Sequence, residues 1–329
     1  MAHHPLVSVF HQRGWLEALV RTYGYEPCVL TTAASGEPLK DGLVLCRVSS
    51  WVTGTRLVSL PFADHCEPLL NGSSEVQVFA NWLTEVCREK HWNYVEIRPL
   101  STSPSTGSLL QANRSYWFHQ LDLSPNLEHL FRRLHHNSFQ RKIRRAGRER
   151  LSYEAGRTQQ LLAEFYRLLL MTRRRHQLLP QPRAWFQNLV ECLGDKLQIS
   201  VARKNGTAIA AMMTLQHGST VVYKYGCSDA RLHSLGGMPF LFWRLIEESK
   251  QSGAERIDLG RSDLDQEGLV IFKDRLGSQK KQLTYYRYSN PDVATASMPG
   301  SSDGFRRFSA ALPDTMFSTA GRLLYRHLG

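Results

Sequence analysis

No run of about 20 consecutive apolar residues occurs in the chain, so nothing in it reads as a membrane-crossing helix. The N-terminal MAHHPLVSVFHQRGW also lacks the unbroken apolar core of a secretory leader, and the two absences predict a soluble, cytoplasmic protein. Cysteine is sparse and scattered. Cys28, Cys46, Cys66, Cys87, Cys192 and Cys227 form no C-x-x-C pair and join no histidines at zinc spacing, so buried free thiols are expected rather than disulfides or a metal site. No P-loop or G-x-G-x-x-G follows a predicted strand, which argues against nucleotide hydrolysis and dinucleotide redox chemistry. Acidic residues are in deficit: 29 Asp and Glu face 41 Lys and Arg, a net charge of +12 with neutral histidines. That excess points to an anionic partner without naming one. Core-forming residues, by contrast, are plentiful. Hydrophobic residues make up 42% of the 329 positions, enough for two domains at roughly 150 residues each.

Helical spacing of Trp15, Leu16, Leu19 and Val20 predicts a helix over 12–23. Short β-branched runs at 27–32, 42–48 and 56–60 read as strands, with ASGEP and Thr53-Gly54 as the turns between them. An amphipathic helix over 75–90, a strand over 92–99 ended by Pro99, a polar loop STSPSTGS and a strand over 115–123 complete the first half. The order then recurs. Helices are predicted over 159–176 and 183–193, and strands in LQISVAR, TAIAAMMTLQ and TVVYKYG, joined by hairpin signals at Lys204-Asn205-Gly206 and His217-Gly218-Ser219. A helix over 239–252, a strand over 255–260, a short helix over 268–276 and a strand over 283–288 follow. Each half thus runs helix, antiparallel trio, helix, strand, final strand, a duplication of order with little residue identity. Between the halves, 127–150 reads as helical and strongly basic. After Tyr288 a Pro/Ser/Gly-rich connector leads to a C-terminal segment apolar enough to dock as a helix.

This succession resembles the Gcn5-related N-acetyltransferase (GNAT) fold. VVYKYGCSD, ARLHSLGG, MPFLFWRLIEESKQSG, AERIDLGRS and GLVIFKDRLG are similar to the C-terminal acyltransferase domain of the FemAB-like group, which is related to bacterial non-ribosomal peptidyltransferases and to BioF2-like acetyltransferase domains. RLVSLPFADHCEPL, YVEIRPL, the linker HLFRRLHHNSFQRKIRRAGRERLSYEAG and the closing LPDTMFSTAGRLLYRHLG extend the likeness. The resemblance implies an α/β protein of two tandem GNAT-like domains, with mixed sheets flanked by helices. Its expected divisions are an N-terminal domain over 1–122, a basic helical linker over 123–150, a C-terminal domain bearing the chemistry over 151–290, and a connector with docking helix over 291–329. It further implies an acyltransferase that moves an acyl or aminoacyl group to an amine or hydroxyl of a cell-envelope or polysaccharide precursor, by direct attack and without a metal. The loop 231–237 departs from the R/Q-x-x-G-x-G/A pattern and the long coiled-coil arm of some peptidyltransferases is absent, so acyl-CoA and aminoacyl-tRNA both stay open as donors. The implied partner is an anionic acceptor, such as a phosphorylated or lipid-linked glycan precursor, met in the cytoplasm or peripherally at the inner face of the membrane. Nucleic acid enters only with an aminoacyl-tRNA donor.

The resemblance and the residues together nominate a site. Gly236 and Gly237 precede a helix whose N-terminal amides can hold the donor, with Pro239 in its first turn. The resemblance places Phe272 beside the donor and gives Lys273 the stabilisation of the oxyanion that amine attack on an ester or thioester develops. Asp258 can handle protons at the end of a strand, or pair with Arg261, which is itself an acceptor-binding candidate. Strand alternation puts Tyr223 and Tyr225 on one face and Lys224 on the other, and Tyr225 is the candidate proton donor. Arg175, in the Arg173–Arg175 cluster, is an acceptor-binding candidate. Arg141, Arg144, Arg145 and Arg148 share one helical face, a stripe that can follow a phosphate backbone or an anionic membrane. A non-catalytic protein docking nucleic acid or anionic lipid through this stripe is the rival reading. Ser234 beside His233 lacks a nucleophile elbow, and no serine–histidine or cysteine–histidine pairing is suggested by local spacing.

Overall fold

The computed structural model describes residues 4, 6–34, 36, 37, 39, 41–70, 73–101, 109–293 and 312–329. The expected polar loop, most of the connector and part of the ASGEP turn lie outside these residues. In chain order the elements are α1 (Arg13–Tyr23), β1 (Glu26–Leu30), β2 (Leu43–Ser50), β3 (Gly54–Val58), α2 (Ser73–Glu89), β4 (Tyr94–Ile97) and β5 (Gln111–Asp122). Then come α3 (Leu127–Arg133), α4 (Arg141–Arg148), β6 (Ser152–Gly156), α5 (Gln159–Arg175), α6 (Arg183–Leu193), β7 (Leu197–Lys204), β8 (Thr207–His217) and β9 (Thr220–Ser228). The chain closes with α7 (Gly237–Gln251), β10 (Arg256–Asp263), α8 (Glu267–Asp274), β11 (Gln279–Ser289) and α9 (Asp314–Tyr325).

Contacts divide the chain into two units interleaved in sequence. The first takes Met1–Tyr116, Gln282–Ser302 and Leu323–Gly329, and the second Trp117–Lys281 and Asp303–Arg322. The units cut across the divisions expected at 122 and 290, because residues 282–289 of β11 pair with β4 inside the first unit, Tyr286 opposite Ile97.

Within the first unit β1, β2 and β3 form the antiparallel trio, and β4 runs parallel to β3 with Leu57 beside Val95. Parallel neighbours need a crossover, which α2 supplies. Its Ala80, Leu83 and Cys87 pack on Leu43, Leu45, Leu57 and Val95.

The second unit repeats the pattern with order β10-β9-β8-β7-β6. The trio β7, β8, β9 is antiparallel, β10 is parallel to β9 and α7 is the crossover. Asn205 (φ 50°) and Gly206 (φ 76°) take the two left-handed conformations that a tight I′ hairpin turn requires. Leu241 and Ile246 of α7 cover one face of this sheet, with Met212, Val221 and Ile257 beneath. Phe165 of α5 and Trp185 and Phe186 of α6 pack around Tyr225 on the other.

Three features depart from expectation. Strand β6, unpredicted because SYEAG lacks a β-branched run, pairs antiparallel with β7. The basic segment is not one helix: α3 ends at Arg133, a π turn spans His136–Gln140, and the His135 ring caps it by accepting the Ser138 N–H at 3.2 Å. The third departure lies in β9. Met213 faces Tyr225 whereas Thr214 faces Tyr223, so Lys224 is an extra residue and the strand bulges there. A bulge breaks the two-residue alternation, so Tyr223 turns to α7, 4.7 Å from Phe242, and Tyr225 turns to α6, 5.1 Å from Phe186. The two tyrosines do not share a face. The C-terminal segment does dock on the second unit, through α9. Phe317 is fully buried under Arg174, whose guanidinium also pairs with Asp314 at 2.5 Å.

All six cysteines are free thiols. Among the described residues no helix is long and apolar enough to cross a membrane.

In the first unit His11 Nε2 donates to the Glu67 carbonyl at 2.9 Å, and Nδ1 accepts the Ser8 N–H at 3.1 Å. Burial lowers its pKa to about 4. The unfolded chain takes up this proton from about pH 6.5 downwards. The stability held by the neutral ring is therefore complete above pH 6.5 and lost as pH falls towards 4, by about 3 kcal/mol. Urea midpoints measured from pH 7 to pH 4.5 should fall, and fall less steeply in His11→Asn.

Candidate functional site

A cavity of about 590 Å³ opens in the second unit at the carboxyl end of β9. Tyr223, Gly226, Cys227 and Ser228 form its floor with Ile209 and Ala210 of β8. The C-terminal turn of α5 contributes Thr172 and Arg175, with His176 capping it, the loop after β9 contributes Leu232 and His233, and α8 contributes Leu269 and Phe272, with Arg275 capping it. The first turn of α7, Gly237 to Pro239, faces it, as does Lys142 of α4.

Two glycines let these elements meet. Gly236 adopts φ 82°, and a Cβ there would lie 2.4 Å from the Lys142 carbonyl oxygen. At Gly237 a Cβ would come within 2.9 Å of Ala210 Cβ. The loop is thus pressed against α4 on one side and β8 on the other, and the N-terminal amides of α7 come to the cavity wall. The donors of a helix's first turn have no intrahelical acceptor, and the helix dipole adds partial positive charge there.

The charge of the lining has one sign. Lys142, Arg175 and Arg275 are cations, and no Asp or Glu is among the described residues that line the cavity. Arg175 NH1 reaches the Ser228 carbonyl at 3.4 Å and His233 Nε2 at 3.5 Å. Both lining histidines titrate below their ordinary value. Burial lowers His233, helped by Arg175 and Lys142, and burial lowers His176, helped by Arg175 and Arg173. Both rings are neutral at pH 7, so the cationic character rests on the three permanent charges. The arrangement suits a phosphate-bearing or other anionic ligand.

The residues nominated from the sequence separate into two groups. Arg175, Gly237 and Phe272 line the cavity, with Gly236 immediately behind the wall. Phe272 is fixed there by Phe139 and Phe242, with ring centroids 5.2 and 5.5 Å away. Lys273, Asp258 and Arg261 are not among the lining residues. They close a knot at the end of β10, where buried Lys273 donates to the Gly260 and Arg261 carbonyls at 3.0 and 2.9 Å. Asp258 Oδ1 accepts the Gly260 N–H at 2.6 Å. Tyr225 is also outside the lining, its hydroxyl accepting the Trp185 Nε1–H at 2.9 Å in the core beneath α6.

Lys142, Arg275, Ser228 and His233 were not singled out as site residues. Lys142 sits within the basic stripe, yet Arg141, Arg144, Arg145 and Arg148 are exposed while Lys142 is half-buried on the cavity side. Only its place out of phase with the arginine spacing could have marked it. His233 Nε2 lies 2.8 Å from Ser228 Oγ, a pairing made across the strand end and the following turn that no short motif announces.

Lys273 holds two carbonyls with a charged donor, and hydrogen bonds to charged groups contribute about 1.5–3 kcal/mol each. Lys273→Met should therefore lower the urea-derived unfolding free energy by at least about 2 kcal/mol, while leaving the cavity-lining residues in place by NMR shift mapping.

Residues 132–267, which carry the whole of β6–β10 and α7, match the family model described as an acetyltransferase (GNAT) domain. No curated protein matches the chain. Among solved structures it is similar to FemX, with 12% identity and a TM-score of 0.68 over 88% of this chain and 94% of that one. It is similar also to a C-terminal domain assigned to a lysylphosphatidylglycerol synthetase from Agrobacterium fabrum, with 15% identity and a TM-score of 0.56 over 84% of this chain and 87% of that one. A tandem GNAT protein from the clavulanic acid biosynthesis pathway shows 11% identity and a TM-score of 0.52 over 89% and 90%. The match identifies an acetyltransferase (GNAT) domain within the chain, and what the chain shares with FemX and with the tandem GNAT protein is the fold.

Proposed function

We propose that the protein transfers an acyl or aminoacyl group to an amine or hydroxyl of an anionic cell-envelope or polysaccharide precursor. The observation that carries this reading is the cavity of the second unit, with Lys142, Arg175 and Arg275 on its lining, no carboxylate, and the first turn of α7 in its wall. A phosphorylated ligand meets there both fixed cations and helix N-terminal amides, whose joint effect is largest in a partly desolvated site. The same donors favour the charge that builds on a carbonyl oxygen as a nucleophile attacks it. Likeness in fold to a domain named for lysylphosphatidylglycerol synthesis supports an aminoacyl donor, and the acetyltransferase family match supports acyl-CoA. In this reading an aminoacyl-tRNA would use the exposed α4 arginines, Arg141, Arg144, Arg145 and Arg148, for its phosphates. A lipid-linked acceptor would be met at the membrane surface.

The rival reading, a polyanion-docking protein without catalysis, is favoured by those same exposed arginines. Thermal shift and salt titration separate the two. A donor that binds only the folded protein raises its melting temperature, by an amount set by about 2.7 kcal/mol at a hundredfold excess over Kd. Acetyl-CoA or an aminoacyl-tRNA should raise the melting temperature of the full chain, and Arg175→Glu should weaken that donor by about tenfold or more, since one cation becomes an anion inside the cavity. Absence of a shift with any CoA ester would remove acyl-CoA. Steeply salt-dependent tRNA binding that Arg175→Glu leaves unchanged, without transfer to any acceptor, would favour the docking reading.

A further inference from the structure

The bulge in β9 decides what stands on the floor of the cavity. In a regular strand Tyr223 and Gly226, three residues apart, would lie on opposite faces. The extra residue Lys224 brings them to the same face, where a Cβ at Gly226 would coincide with the Tyr223 hydroxyl. Gly226 has no positive φ, so what its missing side chain provides is room for the phenol. The Tyr223 ring is held by Phe242, with centroids 4.7 Å apart, and Phe242 packs in turn on Phe272. The hydroxyl makes no hydrogen bond to any described residue, and Tyr223 and Gly226 both line the cavity. Burial raises the phenol's pKa above its ordinary value, so it stays protonated and acts as a donor. The cavity is graded from charge at its mouth to neutrality at its floor. Arg175 and Arg275 are exposed and Lys142 is half-buried, whereas Ile209, Ala210 and Gly226 surround the phenol. Ser228, the other hydroxyl on the floor, already meets His233 at 2.8 Å. A ligand whose anionic part is held at the mouth therefore lays its uncharged end on the floor, against the phenol O–H.

We propose that Tyr223 is a substrate-contacting residue whose hydroxyl donates to the carbonyl oxygen of the group being transferred, and that Gly226 gives this contact its room. The assignment rests on the acyl-transfer reading and keeps the transfer direct. The acceptor's amine or hydroxyl attacks the carbonyl carbon, a C–N or C–O bond forms, and electron density moves onto the carbonyl oxygen, where it meets the phenol O–H. The density returns as the bond to the donor's sulfur or oxygen breaks. The acceptor's proton leaves on that sulfur or oxygen, and Tyr223 keeps its own. Lys273, which the family resemblance nominates for the same oxygen, spends its ammonium on the Gly260 and Arg261 carbonyls. The phenol's bond is strongest when the oxygen carries negative charge, because charge-assisted hydrogen bonds are the stronger ones. It also selects. CoA and uncharged tRNA lack the carbonyl and forgo the contact, so Tyr223 distinguishes a loaded donor from a spent one.

Tyr223→Phe in the full chain removes the hydroxyl and keeps the ring against Phe242, so the melting temperature should not change. Titration calorimetry with acetyl-CoA and with CoA then reads the contact. A hydrogen bond between neutral groups contributes about twofold to tenfold in affinity, so the variant should bind acetyl-CoA more weakly by that factor and bind CoA as the wild type does. An aminoacyl-tRNA set against its deacylated form makes the same comparison for the other class of donor, and the arm that shows the difference identifies the donor. In transfer assays kcat should fall about a hundredfold, the cost of one oxyanion donor, with KM changed by no more than the binding factor. Gly226→Ala, which displaces the hydroxyl without removing it, should show the same selective loss. An unchanged ratio of loaded to unloaded affinity in Tyr223→Phe, or a full kcat, would overturn the contact while the transfer reading stands. A wild-type protein that binds neither a CoA ester nor an aminoacyl-tRNA would overturn the transfer reading and the contact with it.

Discussion

The close approach of the first turn of α7 to β8 on one side and to α4 on the other is the constraint on which the site depends. It exists because two adjacent residues have no side chain. With a Cβ at Gly236 the α4 backbone would have to retreat, and with one at Gly237 the helix would lift from Ala210. Either movement would carry Lys142 or the α7 amides away from the cavity. The nominal role of this glycine pair, a turn that needs positive φ, is met by Gly236 alone. Gly237 is needed for distance rather than for conformation.

A second constraint is the single extra residue in β9. The bulge at Lys224 gives one strand two cores to serve, Tyr223 beneath α7 and Tyr225 beneath α6. It also resets the alternation before Gly226, Cys227 and Ser228 reach the cavity floor. Without it the residues after Lys224 would present the opposite face. The bulge and the glycine pair both act at the carboxyl end of β9, where the cavity opens.

Charge is divided by geometry in a way composition conceals. Of the three arginines that end α5, Arg174 pins α9 through Asp314 and Phe317, whereas Arg175 turns to the cavity and meets Ser228 and His233. On α4 the four arginines stay in solvent and the one lysine is drawn inward. A basic run therefore contains members with separate tasks, and only their neighbours distinguish them.

Much of the architecture was legible in the chain itself. Helical and strand periods marked nearly every element to within a few residues, the Asn205-Gly206 and Gly218 signals marked the hairpins, and the repeated order announced two like units, because these depend on contacts between near neighbours in sequence. Of the residues nominated from the chain and its family resemblance, Arg175, Gly237 and Phe272 fall on the cavity lining. The strand β6 was not legible, since SYEAG is an edge segment whose strand state comes from its ladder with β7 rather than from propensity. Nor was the bulge at Lys224, nor the break after Arg133, for each is set by register against a partner element. In three dimensions Lys273 ties α8 to β10 through the Gly260 and Arg261 carbonyls, and Asp258 holds the Gly260 N–H within β10, contacts that their spacing in the sequence does not announce. The pairing of Ser228 with His233 was decided only by tertiary structure. A serine at a strand end and a histidine five residues on can meet or miss, and here the turn after β9, held by Asp229 and pressed by α4 and α5, brings them to 2.8 Å.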